Sequence, residues 1–191
     1  MSPANTAKAA LLELARFVPS PNFNERPSEE VSLLVIHNIS LPPGQFGTGC
    51  VEELFCNRLD WSAHPFFESI EGLEVSAHLL IERSGEVIQF VPFDKRAWHA
   101  GRSSFQGREN CNDFSIGIEL EGTDEQPYSD AQYERLVQVT RMITQRYPLV
   151  VPDRIVGHCD IAPGRKTDPG PAFDWQRLRR GLQTDPGPHT D

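Results

Sequence analysis

Apolar residues in this chain cluster in short, dense runs, and Pro- and Gly-rich stretches separate them. SLLVI at 32–36 is a continuous apolar run of buried-strand length, and it ends at His37. The stretch after it, ISLPPGQFGTG at 39–49, carries prolines and glycines that exclude helix and central strand. VEELFCNRL at 51–59 reads as a short helix. VSAHLLIERSGEVIQFVP at 75–92 reads as a hairpin, two β-rich runs around Ser84-Gly85. SIGIELEG at 115–122 alternates strictly and predicts a strand with Ile116, Ile118 and Leu120 on one face. SDAQYERLVQVTRMITQRY at 129–147 has the period of a helix: Tyr133, Leu136, Val137, Thr140, Ile143 and Tyr147 form one stripe. Ser129 followed by Gln132 fits a capping box at its start. RIVGH at 154–158 is another strand that ends in histidine, and Asp174 caps a last helix, DWQRLRRGL.

This order predicts a mixed α/β (α+β) fold, a central mixed β-sheet flanked by helices. Residues 1–16 read as a tail or a peripheral helix, and PSPNFNERPSEE at 19–30 as a polar lead-in loop. Residues 17–182 form a single domain, and residues 183–191 a disordered tail, because TDPGPHTD offers no apolar side chain to bury.

At 191 residues the chain can build a core without covalent staples. Its four cysteines (Cys50, Cys56, Cys111, Cys159) make no C-x-x-C pair, which fits a reducing compartment. The formal net charge of -9 argues against nucleic acid and anionic membranes as partners, since both require basic patches. Residues 7–18, AKAALLELARFV, are interrupted by Glu13 and Arg16 and do not read as an export signal. A cytoplasmic protein with no obligate protein partner is the expectation.

Six histidines carry the candidate chemistry. His189 lies in the tail, and His64, in AHPFF, reads as a loop or cap residue. His78 fits a buried, hydrogen-bonded place on the hairpin, and His99, in RAWHAG, fits either a pocket wall or the core. His37 and His158 differ: each ends an apolar strand and opens a long Pro/Gly loop. Taken singly, each fits a satisfied core histidine; as a matched pair at neighbouring strand ends, they also fit two metal ligands. In GRKTDPGP, Pro169 biases Asp168 to an extended conformation, so Lys166 and Asp168 would face one side together. A surface Lys–Asp pair is the plainer account of these two, but two imidazoles and a carboxylate leave zinc an open fourth position, as at a catalytic site. On the SIGIELE strand Gly117, Glu119 and Glu121 share the face opposite the isoleucines. If that face is not simply solvated, Gly117 leaves it open to a ligand, and Glu119, deeper in the strand than Glu121, is the proton acceptor.

The segments HNISLPPGQFG, VSAHLLIERSGEVIQFVPFDKRAWHAG, CNDFSIGIELEGTD and GHCDIAPGRKTDPGPAFDW resemble the AmpD group of N-acetylmuramoyl-L-alanine amidases, within the wider amidase and peptidoglycan-recognition superfamily. The resemblance runs in order over residues 17–182. It implies one zinc ion per chain on His37, His158 and Asp168, with Glu119 as proton acceptor and Lys166 stabilising the transition state. It also implies a pocket rim with Asn38 and Trp98, and His78 is counted with them as substrate-facing. The implied reaction is zinc-dependent hydrolysis of the amide between (1,6-anhydro-)N-acetylmuramic acid and L-alanine in cytoplasmic muropeptides, in cell-wall recycling. A zinc-free module that binds wall fragments on the same fold is the alternative, and a cysteine amidase using Cys159 beside His158 is a third reading. Glu74 and Asn110 stand near where relatives carry arginines for the stem peptide, and Arg83, Arg102 or Arg108 are possible substitutes.

Overall fold

The structure, a computed structural model, describes residues 10–184. Among these, the strands in chain order are β1 (Arg16–Phe17), β2 (Phe23–Glu25), β3 (Leu33–Ile39), β4 (Leu79–Ile81), β5 (Val87–Gln89), β6 (Lys95–Ala97), β7 (Ser104–Phe105), β8 (Arg108–Glu109), β9 (Ser115–Glu121) and β10 (Ile155–Gly157). The α-helices are α1 (Cys50–Phe55), α2 (Pro65–Glu68), α3 (Asp130–Arg146), α4 (His158–Ile161) and α5 (Trp175–Gln183). Six strands make one mixed sheet in the order β1-β5-β4-β9-β3-β10, and β2-β6 and β7-β8 are small side pairs. Within the sheet only β4 and β5 are antiparallel. They form the expected hairpin, turned at Gly85 with a φ of 86° that suits glycine.

The pleat sorts the side chains of the two long strands. Leu34 and Ile36 of β3 join Ile116, Ile118 and Leu120 of β9 in one core, covered by Tyr133, Leu136, Val139 and Ile143 of α3 and Leu178 of α5. Each such side chain stabilises the fold by roughly 1.5–3 kcal/mol on burial. The capping box at Ser129 and Gln132 is present in full, and Asp174 caps α5 by accepting from the Arg177 N–H. The α3 stripe differs from expectation at one position. Val139 is fully buried, whereas Val137 turns toward α5, where a Cβ on Gly181 would lie 2.5 Å from it. A second helix packed alongside widens the apolar face beyond one stripe.

The opposite face of the sheet carries two smaller clusters, one with Leu41, Leu54, Phe55, Phe67 and Leu80, the other with Leu33, Val35, Phe114 and Ile161. The functional residues lie between them.

Two boundaries move. Residues 10–16 are not a tail or a peripheral helix: Ala10 and Leu12 are buried, and Gln89 ties them down by accepting from the Leu12 N–H at 2.8 Å and donating to the Ala10 carbonyl at 3.0 Å. At the other end Gln183 completes α5, and the Thr184 carbonyl accepts from Arg141. The rest of both terminal expectations, 1–9 and 185–191, lies outside the described residues. The polar loop at 19–30 contains β2, which pairs with β6. No helix of the described residues is long and apolar enough to cross a membrane.

Candidate active site

Strand register places the site. Gly157 of β10 pairs with Ile36 of β3, so His158 follows one step on, abreast of His37, and His37 pairs with Glu119 of β9. Two imidazoles and a carboxylate therefore stand in a row at the C-terminal ends of three parallel strands, where open α/β sheets generally bind their ligands. Asp168 comes from the loop after α4. Its carbonyl accepts from the Cys159 N–H at 3.0 Å, and Asn38 braces the same loop by donating to the Pro169 carbonyl at 3.2 Å and to Asp124 at 2.8 Å.

Three atoms converge: His37 Nδ1, His158 Nδ1 and Asp168 Oδ2 are 3.0, 3.2 and 3.1 Å apart. A tetrahedral zinc ion with bonds of about 2.0–2.1 Å needs ligand separations of about 3.3 Å, close to those present. The tautomers fit as well. His158 Nε2 faces the Ala100 carbonyl at 3.1 Å, which can only accept, an arrangement that suits a proton on Nε2 and leaves Nδ1 for a metal ion. A bare nitrogen facing a carboxylate oxygen calls for a positive centre between them. These donors fit zinc, and within the described residues this trio is the grouping able to hold a metal.

Electrostatics agree. His37 is buried, and desolvation holds its imidazole down at about 4, so it is a neutral ligand at neutral pH. Burial alone would push the Asp168 carboxyl up, but hydrogen bonds and positive charge from His158 and His37, where a proton occupies the place a metal ion would take, outweigh it and hold it well below its ordinary range. Glu119 behaves oppositely: burial first, and then the Asp168 charge, push its carboxyl well above the ordinary range, while Lys166 opposes them. Its Oε2 is buried without a hydrogen-bond partner. Glu121, two residues on, is used structurally, accepting from the N–H groups of Gly47 at 2.5 Å and Arg83 at 3.1 Å. The carboxylate left over for chemistry is thus Glu119.

Glu119, His158, Asp168 and Lys166 open on a cavity of about 470 Å³. Asn38, Thr123 and Asp124 line it with polar groups, and Phe66, Leu73 and Trp98 with apolar ones. Such a two-sided cleft suits a ligand with both polar and apolar parts.

The model of the family described as N-acetylmuramoyl-L-alanine amidase matches residues 27–171, a span that contains every residue of this site. The chain belongs to this family. Its relatives place it on the AmpD branch. It is 63% identical over 166 residues to the 1,6-anhydro-N-acetylmuramyl-L-alanine amidase AmpD of Salmonella typhimurium, covering 86% of this chain and 88% of the relative. The AmpD of Escherichia coli is 62% identical, over 86% of this chain and 90% of its own. A crystal structure of a selenomethionine AmpD derivative superposes with a TM-score of 0.89 at 58% identity, over 91% of this chain and 97% of that one. AmpDh3 of Pseudomonas aeruginosa, solved in complex with anhydromuramic pentapeptide, aligns with a TM-score of 0.63 at 32% identity, over 81% of this chain and 61% of that one.

Several expectations for this amidase need correction. His78 does not face substrate: it is fully buried, its Nδ1 accepts from the Gly117 N–H and its Nε2 meets the Lys95 carbonyl, both at 3.0 Å. Gly117 does not open the strand to a ligand, because the His99 ring fills that space, and a Cβ there would lie 2.5 Å from the ring. His158 opens α4 rather than a loop, so Cys159 is on a helical turn, not a strand, and is half-buried. Burial pushes its thiol up, away from the thiolate a cysteine amidase requires. Asp168 lies in a turn before a cis peptide bond rather than in an extended segment, yet it shares the cavity with Lys166 as expected. Arg83 and Arg108 stack on Phe46 and Phe114 and are also bonded elsewhere, to the Pro127 carbonyl and Glu30; neither they nor Arg102 line this cavity. His64 caps α2, accepting from the Phe66 N–H at 3.1 Å.

Sequence reasoning missed Arg26 and Asn112. Arg26 donates to the carbonyls of Phe93, Asn112, Asp113 and Ser115, and Asn112 accepts from the N–H groups of His99 and Ala100. An arginine in a polar loop and an asparagine after a cysteine carry no signal that they hold a backbone in place.

Proposed function

We propose that this amidase hydrolyses, in a zinc-dependent reaction, the amide between (1,6-anhydro-)N-acetylmuramic acid and L-alanine in cytoplasmic muropeptides, as part of cell-wall recycling. The observation that carries this reading is the convergence of His37 Nδ1, His158 Nδ1 and Asp168 Oδ2 beside the unpartnered Glu119 Oε2. The AmpD relatives, named for this amide, support the substrate.

His37, His158 and Asp168 would hold the zinc ion. When bound, zinc supplies a Lewis acid for the amide carbonyl and makes water acidic near neutral pH. Glu119 accepts the proton of the attacking water at its free oxygen and passes it to the departing alanine nitrogen. Positive charge in the ligand ring favours ionised Glu119, which burial alone opposes. Lys166, exposed at the cavity edge, directs its ammonium at the charge that develops on the carbonyl oxygen. Asn38 and Trp98 shape the rim. Trp98 is fixed through its indole N–H to Asn24 at 2.7 Å, and Asn38 keeps the Asp168 loop in place.

The test incubates the protein with an anhydro-muropeptide, with and without a chelator, and weighs the products. Release of the free peptide that stops with chelator and returns with zinc is expected. Binding without cleavage in the presence of zinc would favour the non-catalytic module instead.

A further inference from the structure

Behind the ligand ring is a second histidine that no role above uses. His37 Nε2 lies 2.9 Å from His99 Nδ1, and His99 Nε2 lies 3.1 Å from Ser115 Oγ. All three residues are buried. His99 stands over Gly117, in the gap that strand leaves by having no side chain there, and its backbone N–H is held by Asn112. The next residue, Ala100, turns its carbonyl to His158. One two-residue stretch thus contacts the outer nitrogens of both imidazoles.

The two contacts are not equivalent. A carbonyl can only accept, so Ala100 favours a proton on His158 Nε2, although Arg165 approaches the same nitrogen at 3.5 Å. An imidazole can accept or donate, and it fixes His37 with a bare Nδ1 only while His99 Nδ1 is itself bare and its proton sits on Nε2. Ser115, at the far side of the ring, carries a hydroxyl that can accept that proton. We infer that His99 is a positioning residue for the metal ligand His37: in the chain Ser115–His99–His37 it receives the Nε2 proton of His37 and so keeps Nδ1 free to bind zinc. This rests on the zinc reading of the site. Outer partners of ligating histidines typically change metal affinity by about 10–100-fold when removed.

Asparagine and glutamine separate this role from space-filling. The amide oxygen of asparagine falls about where Nδ1 of histidine lies, beside His37, whereas that of glutamine falls nearer Nε2, beside Ser115. Zinc affinity is measured by competition with a chromophoric chelator on the full chain, and folding is checked by urea denaturation with metal removed. In parallel, the tautomer of His37 in the chelated protein is read from ¹⁵N–¹H correlation spectra of the imidazoles. Wild-type protein is expected to bind one zinc, His99→Asn to keep affinity close to it, and His99→Gln and His99→Phe to lose about 10–100-fold. The spectra should show His37 protonated on Nε2 in wild type and His99→Asn and mixed in His99→Gln. If His99→Phe does not fold, the Asn/Gln pair decides alone. Equal affinities in all variants, or Gln tighter than Asn, overturn the inference while leaving the zinc site standing. A wild-type protein that binds no zinc overturns the zinc reading itself.

Discussion

Replacing Gly117 by alanine exchanges one hydrogen for a methyl group, and the structure says where it collides. The new Cβ would lie 2.5 Å from His99 Cγ, 2.6 Å from Nδ1 and 2.7 Å from Cδ2. Ordinary carbon contacts lie at about 3.5–4.0 Å, so the ring must retreat by about 1 Å. It has no slack, being bonded at 2.9 Å to His37 on one side and at 3.1 Å to Ser115 on the other. Overpacking costs about 1–3 kcal/mol. Stripping His37 of its buried partner adds about 1–3 kcal/mol. The better strand propensity of alanine returns about 0.5–1 kcal/mol. A net destabilisation of about 1–5 kcal/mol follows, about 0.5–2.5 M in the urea midpoint for a slope near 2 kcal/mol/M. Denaturation is followed by circular dichroism with a chelator present, so that metal binding adds nothing to the folded state. The decisive control is the cycle with His99→Ala. Once the ring is gone, Gly117→Ala should cost little, so the coupling should be nearly as large as the cost in the wild-type background. A Gly117→Ala protein as stable as wild type, or strict additivity in the cycle, would refute the packing argument.

Glu119→Gln keeps the shape of the side chain and removes its basicity, so zinc binding should persist while kcat falls by about 10²–10⁴-fold; a rate near wild type removes Glu119 from proton transfer. Lys166→Ala should likewise retain zinc and slow turnover by about 10²–10³-fold, whereas Asp168→Ala should lose zinc and activity together, both followed by metal content after gel filtration. The metal-free protein should lose stability as pH falls. Burial lowers His37 to about 4 and His78 and His99 well below their ordinary range, so the unfolded chain, with imidazoles near 6.5, binds more protons than the folded one. The stabilising contribution is complete above about pH 6.5 and drains away toward pH 4. A urea midpoint that stays flat across that window contradicts neutral buried imidazoles.

The long strands and the α3 helix with its capping box were legible because each has a local cause, and His37, His158 and Asp168 do come together, although His158 opens a helix and Asp168 sits in a turn. Alternation reveals which face of β9 is apolar, and the strand that carries His37 into a Pro/Gly loop marks a place where a ligand can be offered. What stayed hidden depends on residues brought in from far along the chain. Gly117 reads as an opening until His99, 18 positions upstream, fills it. His78 and His99 look alike as histidines in apolar surroundings, yet one is held by the Gly117 N–H, the Lys95 carbonyl and the Arg26 guanidinium, and the other touches the ligand His37. The terminal segment at 10–16 reads as a tail or a peripheral helix because its partner, Gln89, is a polar residue on a strand that gives no sign of what it binds.

The pairing of His37 with Glu119 has a consequence for how this protein can change. A slip of β9 by a single residue along β3 would turn Ile116, Ile118 and Leu120 out toward the cleft and swing Glu119 to the far side of the sheet in the same movement. Hydrophobic collapse therefore proofreads the chemistry: a molecule that has sheltered its isoleucines has aimed its carboxylate too. Single-residue insertions within either strand should be recovered as insoluble or degraded chains rather than as folded, inactive enzyme, and length variation should be confined to the connections between strands.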